Sequence, residues 1–474
     1  MKDLKISEIL EYTEGTLVSG CPEDTVNTIS TDSRVIPENC LFVPIVGERM
    51  DGHDFLGGAL EKAKAVLTSR PAMDGIYNEN GAEEGFENAN IILVEDTITA
   101  LQQVGKLART KVNIPAVGVT GSVGKTTTRE MVSYALSGAM KVYKTDKNYN
   151  NKIGVPLTLS EMTEESDIAV LELGLNVRNE LGTISALTNI ETAMITNIGV
   201  AHIEYYGTRD EICKEKFTVT KGFWPENPAP KMLFLNGDDT YLMKYKDLTG
   251  YAYKTYAIES DESDYYARNI EIKDGLTTFD LMKNGEKVIS VTLSVLGKHN
   301  VLNAVGALAV ADYYKVPLRK AAESLSKFTG FRHRLERFEK DGVMIIDDTY
   351  NASPASMKAG VSVLSDMVLT NTAGRRIAVL GDMLELGEQT KEYHYEVGEY
   401  AATEKVDLLF LLGENSREIG RAYKEHGGKA EIQYFMDGES LLETLKKTVK
   451  AGDFVYFKAS HGTNLGPVVE GLLK

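Results

Sequence analysis

Cysteine is rare in this sequence, and the few cysteines that occur exclude two kinds of site. The chain of 474 residues has 3 cysteines, Cys21, Cys40 and Cys213. They are scattered, odd in number and without the spacing of metal ligands, which excludes a disulfide framework and a cysteine-based metal site. This use of cysteine is typical of small apolar side chains in a reducing compartment.

Long apolar runs are missing as well. There is no run of about 18 apolar residues, the length that spans a bilayer. The first residues, 1–6, contain no apolar segment of signal-peptide length. From these absences we expect a soluble protein of the cytoplasm that does not insert into a membrane.

Basic residues are outnumbered by acidic ones. The sequence has 52 lysines and arginines against 69 aspartates and glutamates, a net charge of −17. The summed field repels phosphates, which argues against broad binding to nucleic acid or anionic membranes, and so against a nucleic-acid motor. A local phosphate pocket is compatible with this charge, because backbone donors and one lysine act at short range.

The residues that are present describe an ordinary globular protein. Hydrophobic residues make up 43% of the chain and charged residues 26%. At roughly 150 residues per domain, the length predicts about three domains. We predict domains at residues 1–112, 113–327 and 328–474, because two separate series of alternating strand and helix patterns follow a more irregular first part.

Two series of continuous apolar runs, separated by segments of helix length, predict parallel sheets covered on both faces. The first series lies at residues 115–120, 168–173, 193–198 and 232–235, and the second at 343–346, 377–380, 408–412 and 454–457. Polar residues follow each run of the second series. Ligands of doubly wound sheets bind beyond the carboxyl ends of the strands, so chemistry is expected there. The acidic, glycine-bearing stretch 77–90 is expected to be a surface loop.

The sharpest signal is the stretch Thr120-Gly121-Ser122-Val123-Gly124-Lys125-Thr126-Thr127. It lies between a predicted strand and a predicted helix, as a phosphate-binding loop does. Glycines let backbone N–H groups turn toward an anion, and the helix start adds partial positive charge. We therefore expect a nucleoside triphosphate here, with Lys125 at the terminal phosphates and Thr126 or Thr127 on Mg²⁺.

The loop departs from the common phosphate-loop pattern. Val119 stands where that pattern has its first glycine. Gly118, Gly121 and Gly124 would also suit a dinucleotide-binding turn. The lysine and threonine that close the loop favour the triphosphate.

Five further positions each allow two interpretations. Glu172 ends an apolar run and is either a partner for the metal or a solvated strand-end carboxylate. His202 follows another run, and a lone loop histidine is more often structural. Lys216 lies in a predicted helix, where a solvated lysine is the ordinary case, and Asn300 and Asn303 would be explained as helix caps.

Taken together and in this order, these residues closely resemble the Mur ligases of bacterial peptidoglycan precursor synthesis, whose phosphate loop has the same short form. The resemblance extends to Asp32-Ser33-Arg34, 51–55, 148–156, 171–174, Ala201-His202, 297–300 and Asn303. Segments 347–354 and 379–387 look particularly like the MurF branch of that family.

The resemblance implies an α/β fold of three domains. These are an N-terminal α/β module that binds a nucleotide sugar, a central doubly wound P-loop ATPase-like domain and a C-terminal Rossmann-like domain. It implies an ATP-dependent peptide ligase that uses Mg²⁺ and joins D-alanyl-D-alanine to UDP-N-acetylmuramoyl-tripeptide through an acyl phosphate. The expected partners are these small molecules only, bound by a monomer.

The resemblance also implies roles for single residues. The residues implied for ATP are Gly121, Ser122, Val123, Gly124, Lys125, Thr126, Thr127, Asn300, Asn303, Arg334, Asp348 and Asn351. Those implied for the UDP-linked substrate are Ser33, Arg34, Asn150 and Asn151. Catalysis is implied for Lys125, Glu172, His202 and Lys216, and metal binding for Thr126, Glu172, His202 and Lys216. Lys216 aligns with the lysine that the family carbamylates, which would replace an ammonium beside Mg²⁺ by oxygen ligands.

The chain departs from the family pattern at four places. Lys147, Asn179 and the pair Asn39-Cys40 replace glycines, and His461 replaces an arginine. A neutral imidazole cannot replace a permanently charged bidentate donor to a carboxylate, so His461 bears most on substrate. Two alternatives therefore stay open. They are a related ligase with another acid or amine, such as a folate-type polyglutamate ligase, and an inactive ATP-binding paralogue.

Overall fold

The computed structural model describes residues 2–79, 81–146, 148–273, 275–369 and 373–474. Lys147, one of the departures from the family pattern, lies outside these residues. The chain forms two compact units, each assembled from separate stretches of sequence. The first unit comprises Met1–Thr120, Met140–Met194 and Glu215–Leu233, and the second Gly121–Ala139, Ile195–Lys214 and Phe234–Lys474.

The N-terminal stretch, in the first unit, carries short strands and three helices. The strands are β1 (Leu4–Lys5), β2 (Thr16–Ser19), β3 (Thr25–Val26), β4 (Thr28–Ser30), β5 (Cys40–Phe42), β6 (Ala65–Thr68), β7 (Tyr77–Asn78), β8 (Gly81–Ala82) and β9 (Asn90–Leu93). The helices are α1 (Ile6–Thr13), α2 (Leu56–Leu60) and α3 (Thr97–Lys111). Five strands form a sheet in the order β2-β9-β6-β5-β4, in which only the β2–β9 pair is antiparallel.

The middle of the chain alternates strands and helices. Its strands are β10 (Ala116–Thr120), β11 (Val142–Lys144), β12 (Ile168–Glu172), β13 (Thr192–Ile195), β14 (Met232–Asn236), β15 (Tyr253–Ala257), β16 (Tyr265–Lys273), β17 (Leu276–Lys283) and β18 (Glu286–Leu293). Its helices are α4 (Lys125–Ser137), α5 (Gly154–Glu161), α6 (Glu180–Ser185), α7 (Ile203–Tyr206), α8 (Arg209–Phe217), α9 (Thr240–Tyr245), α10 (Lys298–Tyr313) and α11 (Leu318–Leu325).

Parallel pairing in the first unit brings the candidate site residues to one sheet edge. Strands β11, β12 and β10 are neighbours and run parallel. All residues of β10 and β12 are buried, as expected for apolar strands covered on both faces. Val119 pairs in register with Glu172, so the glutamate lies beside the strand residue that leads into the glycine-rich loop.

The second unit contains an antiparallel meander. Strands β16, β17 and β18 pair antiparallel in that order, and more buried residues alternate with less buried ones over the second half of β16, most of β17 and the end of β18. Alternation of this kind is typical of a sheet with one face toward the core and one toward water. The continuous apolar runs of the sequence did not predict these strands.

The C-terminal stretch, also in the second unit, forms a six-stranded sheet in the order β19-β20-β24-β21-β22-β23. Its strands are β19 (Glu336–Lys340), β20 (Val343–Asp347), β21 (Arg376–Gly381), β22 (Leu408–Leu412), β23 (Glu431–Phe435) and β24 (Phe454–Lys458). Its helices are α12 (Pro354–Asp366), α13 (Thr390–Ala402), α14 (Ser416–Glu425), α15 (Gly438–Thr448) and α16 (Gly466–Leu473). Only β19 runs antiparallel to its neighbour, so β20, β24, β21 and β22 end at the same edge.

The predicted apolar runs all became strands, with bounds that differ by a few residues at most. The predicted loop at 77–90 was partly wrong, because it contains the paired strands β7 and β8 and the start of β9. Within the described ranges, no helix combines the length and the apolar character that crossing a bilayer requires.

A buried arginine ties helix α3 to the segment at 188–189. The Arg109 side chain is fully buried, and its guanidinium donates to the backbone carbonyls of Thr188 (2.7 Å), Ile114 (2.6 Å), Asn189 (3.0 Å) and Val112. Burial lowers the pKa of Arg109 to about 10. A guanidinium that satisfies several buried carbonyls fixes these segments, since each carbonyl would otherwise lose its partner.

Candidate active site

The glycine-rich loop has the backbone that an anion cradle requires. Gly121 and Gly124 have φ values of +149° and +83°, which side chains with a Cβ rarely adopt. Helix α4, 13 residues long, begins directly after Gly124. Gly124 occupies the N-cap position and has no side chain that could cap the helix, which suits a helix start that binds an anion.

Lys125 lies folded over this loop. Its Nζ donates to the carbonyl oxygens of Gly121 (3.0 Å) and Ser122 (3.4 Å). Among the described residues, the hydroxyls of Ser122 and Thr128 are buried and have no hydrogen-bond partner within the protein. A buried hydroxyl without a partner costs free energy unless a ligand supplies one. The loop therefore combines a lysine, a helix start and a donor hydroxyl, which fit a polyphosphate.

The backbone N–H groups of Ser122 and Val123 both donate to Asn197. The Ser122 N–H donates to the carbonyl of Asn197 (3.0 Å), and the Val123 N–H donates to Asn197 Oδ1 (3.0 Å). These two amides are therefore used within the protein. Sequence reasoning missed Asn197, which lies within the predicted apolar run 193–198.

Glu172 is a buried carboxylate with a fixed orientation. Asn150 Nδ2 donates to Glu172 Oε1 (2.8 Å), and the Asn150 carbonyl accepts from the backbone N–H of Gly174 (2.7 Å). Thr145 Oγ1 accepts from the Glu172 backbone N–H (3.0 Å). Glu172 is 1% exposed, so the interpretation as a solvated strand-end carboxylate is wrong. Asn151 caps the start of α5 instead, accepting from the N–H groups of residues 153 and 154.

Lys216 is buried as well. It lies near the end of α8 and is 2% exposed, whereas Lys214 of the same helix is exposed and pairs with Glu211 at 2.8 Å. The ordinary interpretation of a solvated helical lysine therefore fails for Lys216. Burial of a lysine normally requires compensation by hydrogen bonds or charge.

His202 begins helix α7 in a left-handed conformation, with φ of +61°. Its Nδ1 lies 3.7 Å from the Glu385 carboxylate, which belongs to the loop after β21. A second contact joins the same segments, because a Cβ on Gly387 would lie 3.1 Å from Glu204 Cβ. A histidine with one ring nitrogen near a carboxylate has the arrangement that commonly orients a metal ligand.

The two predicted asparagines of α10 are not helix caps. The N-cap position belongs to Gly297, and Asn300 Nδ2 donates to the Leu296 carbonyl (2.7 Å). The Asn303 amide lies beside the glycine-rich loop, since a Cβ on Gly124 would be 3.6 Å from Asn303 Oδ1. The cap interpretation is therefore wrong for both residues, and Asn303 is adjacent to the candidate phosphate cradle.

The C-terminal sheet holds the next group of predicted residues. Lys458, at the end of β24, is buried and donates to Asp348 Oδ2 (2.6 Å) and to the Asn351 carbonyl (3.0 Å). Tyr456 also donates to Asp348 Oδ2 (2.8 Å), and burial raises the pKa of this tyrosine well above its usual value. Asp348 and Asn351 are thus fixed at the edge where β20 and β24 end.

Arg334 lies in the turn before β19, and its guanidinium stacks on the Tyr350 ring at 4.0 Å. The turn is held by its neighbours, because His333 Nδ1 is 2.7 Å from Asp347 Oδ2 and the His333 N–H donates to Glu336 (2.9 Å). Ligand atoms of His333, Glu336 and Asp347 lie within 4.8 Å of one another. Hydrogen bonds among these residues account for that cluster.

The predicted substrate residues Ser33 and Arg34 lie in the N-terminal stretch. Arg34 is exposed and binds the Asp32 carboxylate through Nε (2.8 Å) and Nη2 (2.7 Å). This bidentate pair holds the pKa of Asp32 at about 2. The turn Asp32-Ser33-Arg34 is therefore pre-formed and displays a guanidinium to solvent.

Two of the departures from the family pattern keep the backbone that glycine would adopt. Asn179 and Asn39 have φ values of +65° and +52°. Asparagine tolerates this left-handed region better than most residues, so these replacements preserve the local chain path. His461 is exposed at the start of a short helix after β24.

A neutral histidine supports the loop that carries Glu385, and this predicts a pH effect. His394 is fully buried, its Nε2 accepts from the Met383 N–H (2.9 Å), and its Nδ1 donates to the Thr390 carbonyl (2.6 Å). Burial lowers the pKa of His394. Below pH about 6.5 the histidine is protonated in the unfolded chain but stays neutral in the folded chain. The free energy of unfolding therefore decreases as the pH is lowered from about 6.5 toward the lowered pKa of the folded state.

We expect the melting temperature of the wild type to fall more steeply between pH 7 and 5 than that of His394→Gln. Glutamine can donate and accept hydrogen bonds but does not titrate. Each unit of pKa difference corresponds to about 1.4 kcal/mol of stability. Exposed His461→Gln is the control and should follow the wild type. Equal pH slopes for the wild type and His394→Gln would refute the effect.

Comparison with known proteins identifies the family of this chain. Residues 119–311 match the Mur ligase middle domain, and residues 333–461 match the Mur ligase, glutamate ligase domain. A relative from Bacillus subtilis (strain 168), named UDP-N-acetylmuramoyl-tripeptide--D-alanyl-D-alanine ligase, is 35% identical over 473 residues, which cover 99% of this chain and 98% of the relative.

Solved structures give the same result. A MurF structure from Acinetobacter baumannii matches with a TM-score of 0.88 at 27% identity, covering 100% of this chain and 99% of that one. A MurF ligase from Thermotoga maritima in complex with ADP matches with a TM-score of 0.80 at 26% identity, covering 94% and 97%. The expected three-domain α/β fold class is thereby confirmed. The chain belongs to the Mur ligase family and, within it, to the MurF ligases.

Proposed function

We propose that this protein joins D-alanyl-D-alanine to UDP-N-acetylmuramoyl-tripeptide with the conversion of ATP to ADP and phosphate, a step of peptidoglycan precursor synthesis. The observation that carries the proposal is the loop at Gly121–Lys125. Its lysine, its helix start and the buried, unpartnered Ser122 hydroxyl fit a triphosphate. The Bacillus subtilis relative, which is similar over 99% of this chain, is named for this reaction.

The first chemical step is the activation of a carboxylate. A carboxylate is a poor electrophile and repels the triphosphate. Lys125 offsets that charge and stabilises the γ-phosphoryl group while it passes to the carboxylate oxygen. The products of this step are an acyl phosphate and ADP.

The second step forms the amide. The free amine of D-alanyl-D-alanine attacks the acyl carbon, giving a tetrahedral intermediate that expels phosphate. Water would destroy the acyl phosphate, so the site has to exclude it. For the nucleotide we assign Asn300, Asn303, Arg334, Asp348 and Asn351 together with the loop Gly121, Ser122, Val123, Gly124, Lys125, Thr126 and Thr127. For the UDP-linked substrate we assign Ser33, Arg34, Asn150 and Asn151.

The donor set fits Mg²⁺. Glu172 supplies a buried carboxylate that Asn150 holds in one orientation, and hard cations of this kind prefer such oxygen ligands. We assign the metal to Thr126, Glu172, His202 and Lys216, the last as a carbamate. Bound there, Mg²⁺ would neutralise charge on the phosphate oxygens. The buried position of Lys216 supports this assignment, because a carbamate would exchange a cation for two oxygen ligands.

The proposal extends to the location of the enzyme, the roles of its three domains and its oligomeric state. The substrates are small molecules, and both ATP and the UDP-linked precursor are cytoplasmic, so we place the enzyme there. We propose that residues 1–112 bind the UDP-linked substrate, 113–327 bind ATP and 328–474 complete the ligase site. We propose that the working enzyme is a monomer.

Phosphate release tests the reaction directly. Purified protein is assayed with ATP, Mg²⁺ and UDP-N-acetylmuramoyl-tripeptide, with and without D-alanyl-D-alanine. We expect steady release only with the dipeptide, and a product whose mass equals both substrates joined with loss of water. Release with another amine, such as glutamate, would favour a different ligase of the family. No release with any amine, despite nucleotide binding, would favour an inactive paralogue.

A further inference from the structure

We infer that Asn197 is a positioning residue that holds the phosphate loop in its ATP-binding shape. The inference rests on the proposed function, because it concerns the same nucleotide site. Asn197 follows strand β13 and approaches the loop through its side chain and its backbone. Neither the roles implied by the family resemblance nor the assignments above include it.

Asn197 makes hydrogen bonds to three backbone groups of the loop. Its carbonyl accepts from the Ser122 N–H (3.0 Å), and its Oδ1 accepts from the Val123 N–H (3.0 Å). Its Nδ2 donates to the Val123 carbonyl (2.9 Å). One residue therefore pairs with both polar groups of Val123 and with the amide before it.

These hydrogen bonds determine where the other loop groups point. In a trans peptide the carbonyl and the following N–H point in opposite directions. The carbonyls of Gly121 and Ser122 consequently face away from Asn197, and both accept from Lys125 Nζ. The Val123 carbonyl faces Asn197, so the Gly124 N–H points away from it, to the side where Lys125 lies.

The Lys125 ammonium group and the Gly124 N–H therefore lie on the same side of the loop, opposite Asn197. Both would face the phosphates of ATP. Without Asn197 the peptide between Val123 and Gly124 could turn over, because Gly124 adopts either sign of φ at little cost. A carbonyl would then replace the N–H beside the phosphates and repel them. Asn197 pre-organises the loop by preventing this turn.

Thr196 adds a second contact to the same carbonyl. Its Oγ1 donates to the Val123 carbonyl (2.7 Å), and a Cβ on Gly121 would lie 1.8 Å from this Oγ1. Thr196 is in turn fixed by Asn236 of β14, whose Nδ2 donates to the Thr196 carbonyl (3.1 Å). The segment Thr196-Asn197, which holds the loop, is therefore itself held by a buried strand.

The test compares nucleotide affinity among variants that fold equally well. In Asn197→Ala all side-chain contacts with Val123 are lost, and we expect the Kd for ADP and the KM for ATP to rise roughly tenfold, the effect of one or two lost hydrogen bonds. In Asn197→Asp the carboxylate faces the Val123 carbonyl and favours the turned-over peptide, so we expect a larger rise. The KM for D-alanyl-D-alanine should change less than twofold.

Threonine variants and a matched asparagine separate positioning from general stability. Thr196→Val removes one bond to the Val123 carbonyl and should raise the KM for ATP by a few-fold, whereas Thr196→Ser keeps the hydroxyl and should restore it. Asn227 donates to Asn189 Oδ1 (3.1 Å) and Glu191 Oε1 (3.3 Å) and accepts from the Ala229 N–H (3.0 Å), and none of these partners is a residue of the loop. Asn227→Ala should leave the Kd for ADP unchanged.

The outcomes distinguish the two proposals. If the wild type ligates the dipeptide and Asn197→Ala binds ADP with unchanged Kd, the positioning role is wrong and the ligase function stands. If the wild type binds ADP but does not ligate, the proposed ligase function is wrong. A higher Kd for ADP in Asn197→Ala would then still support the positioning role of Asn197. Equal losses in Asn197→Ala and Asn227→Ala, with lowered melting temperatures, would overturn the positioning role.

Discussion

Replacing Lys125 by alanine is expected to lower kcat by about 10³-fold while leaving the fold intact. The Lys125 Nζ donates to the carbonyls of Gly121 and Ser122, at 3.0 and 3.4 Å. Asn197 and Thr196 also hold the backbone of this loop, so we expect the fold to survive the loss of the lysine side chain. In the proposed reaction the same ammonium would face the group that is transferred, and removal of one such charge commonly costs two to three orders of magnitude in rate, roughly 3–4 kcal/mol.

The measurement is phosphate release at saturating ATP, UDP-N-acetylmuramoyl-tripeptide and D-alanyl-D-alanine, with the melting temperature as a check of folding. Lys125→Arg is the informative companion, because it keeps the charge but changes its shape and reach. We expect it to recover a small part of the rate. A Lys125→Ala enzyme that keeps more than a tenth of the wild-type kcat would contradict the role of this lysine in phosphoryl transfer.

The loop around Lys125 could be predicted because its signal is local. A buried strand, glycines at two turning points and an amphipathic helix follow one another directly in the sequence, and the structure has β10, the glycines with positive φ and α4 in that order. The strands of the C-terminal sheet were predictable for a similar reason. Continuous apolar runs specify strands that are buried on both faces.

The antiparallel meander β16–β18 was missed because its pattern is different. More and less buried residues alternate over much of its length, so polar residues interrupt the apolar ones and no long apolar run forms. A usable signal was present at Asn284-Gly285, where both residues have positive φ and join β17 to β18. Asparagine followed by glycine between alternating residues is a strong sign of a two-residue hairpin turn.

The roles of Asn150 and Asn197 could not be predicted from spacing alone. Asn150 and Glu172 are far apart in sequence, and their hydrogen bond depends on the parallel pairing of β12 with its neighbours. Asn197 likewise reaches the loop only because β13, which precedes it, is the sheet neighbour of β10, which precedes the loop. Sequence patterns identify such residues as polar groups after strands, but the pairing of strands decides which ones meet.

Substitution of Lys216 is expected to have the second large effect on kcat, and it tests directly whether this lysine carries a carbamate. Lys216 is 2% exposed, while Lys214 of the same helix is solvated. A carbamate forms when the neutral amine attacks carbon dioxide and loses a proton, which converts a positive group into a negative one with two oxygen ligands. We expect Lys216→Ala to lower kcat by about 10³-fold, because both metal ligation and local charge are lost.

Added short carboxylic acids, such as acetate or propionate, should restore part of the activity of Lys216→Ala, since they can place a carboxylate in the space left by the side chain. Lys216→Arg keeps a positive charge but cannot form the carbamate, so it should be inactive and refractory to this rescue. Lys214→Ala is the control and should match the wild type. Labelled bicarbonate should give a carbamate signal by carbon NMR in the wild type and in Lys214→Ala but not in Lys216→Arg. Full activity of Lys216→Arg would show that the charge inversion, and with it the proposed metal ligand, is not required.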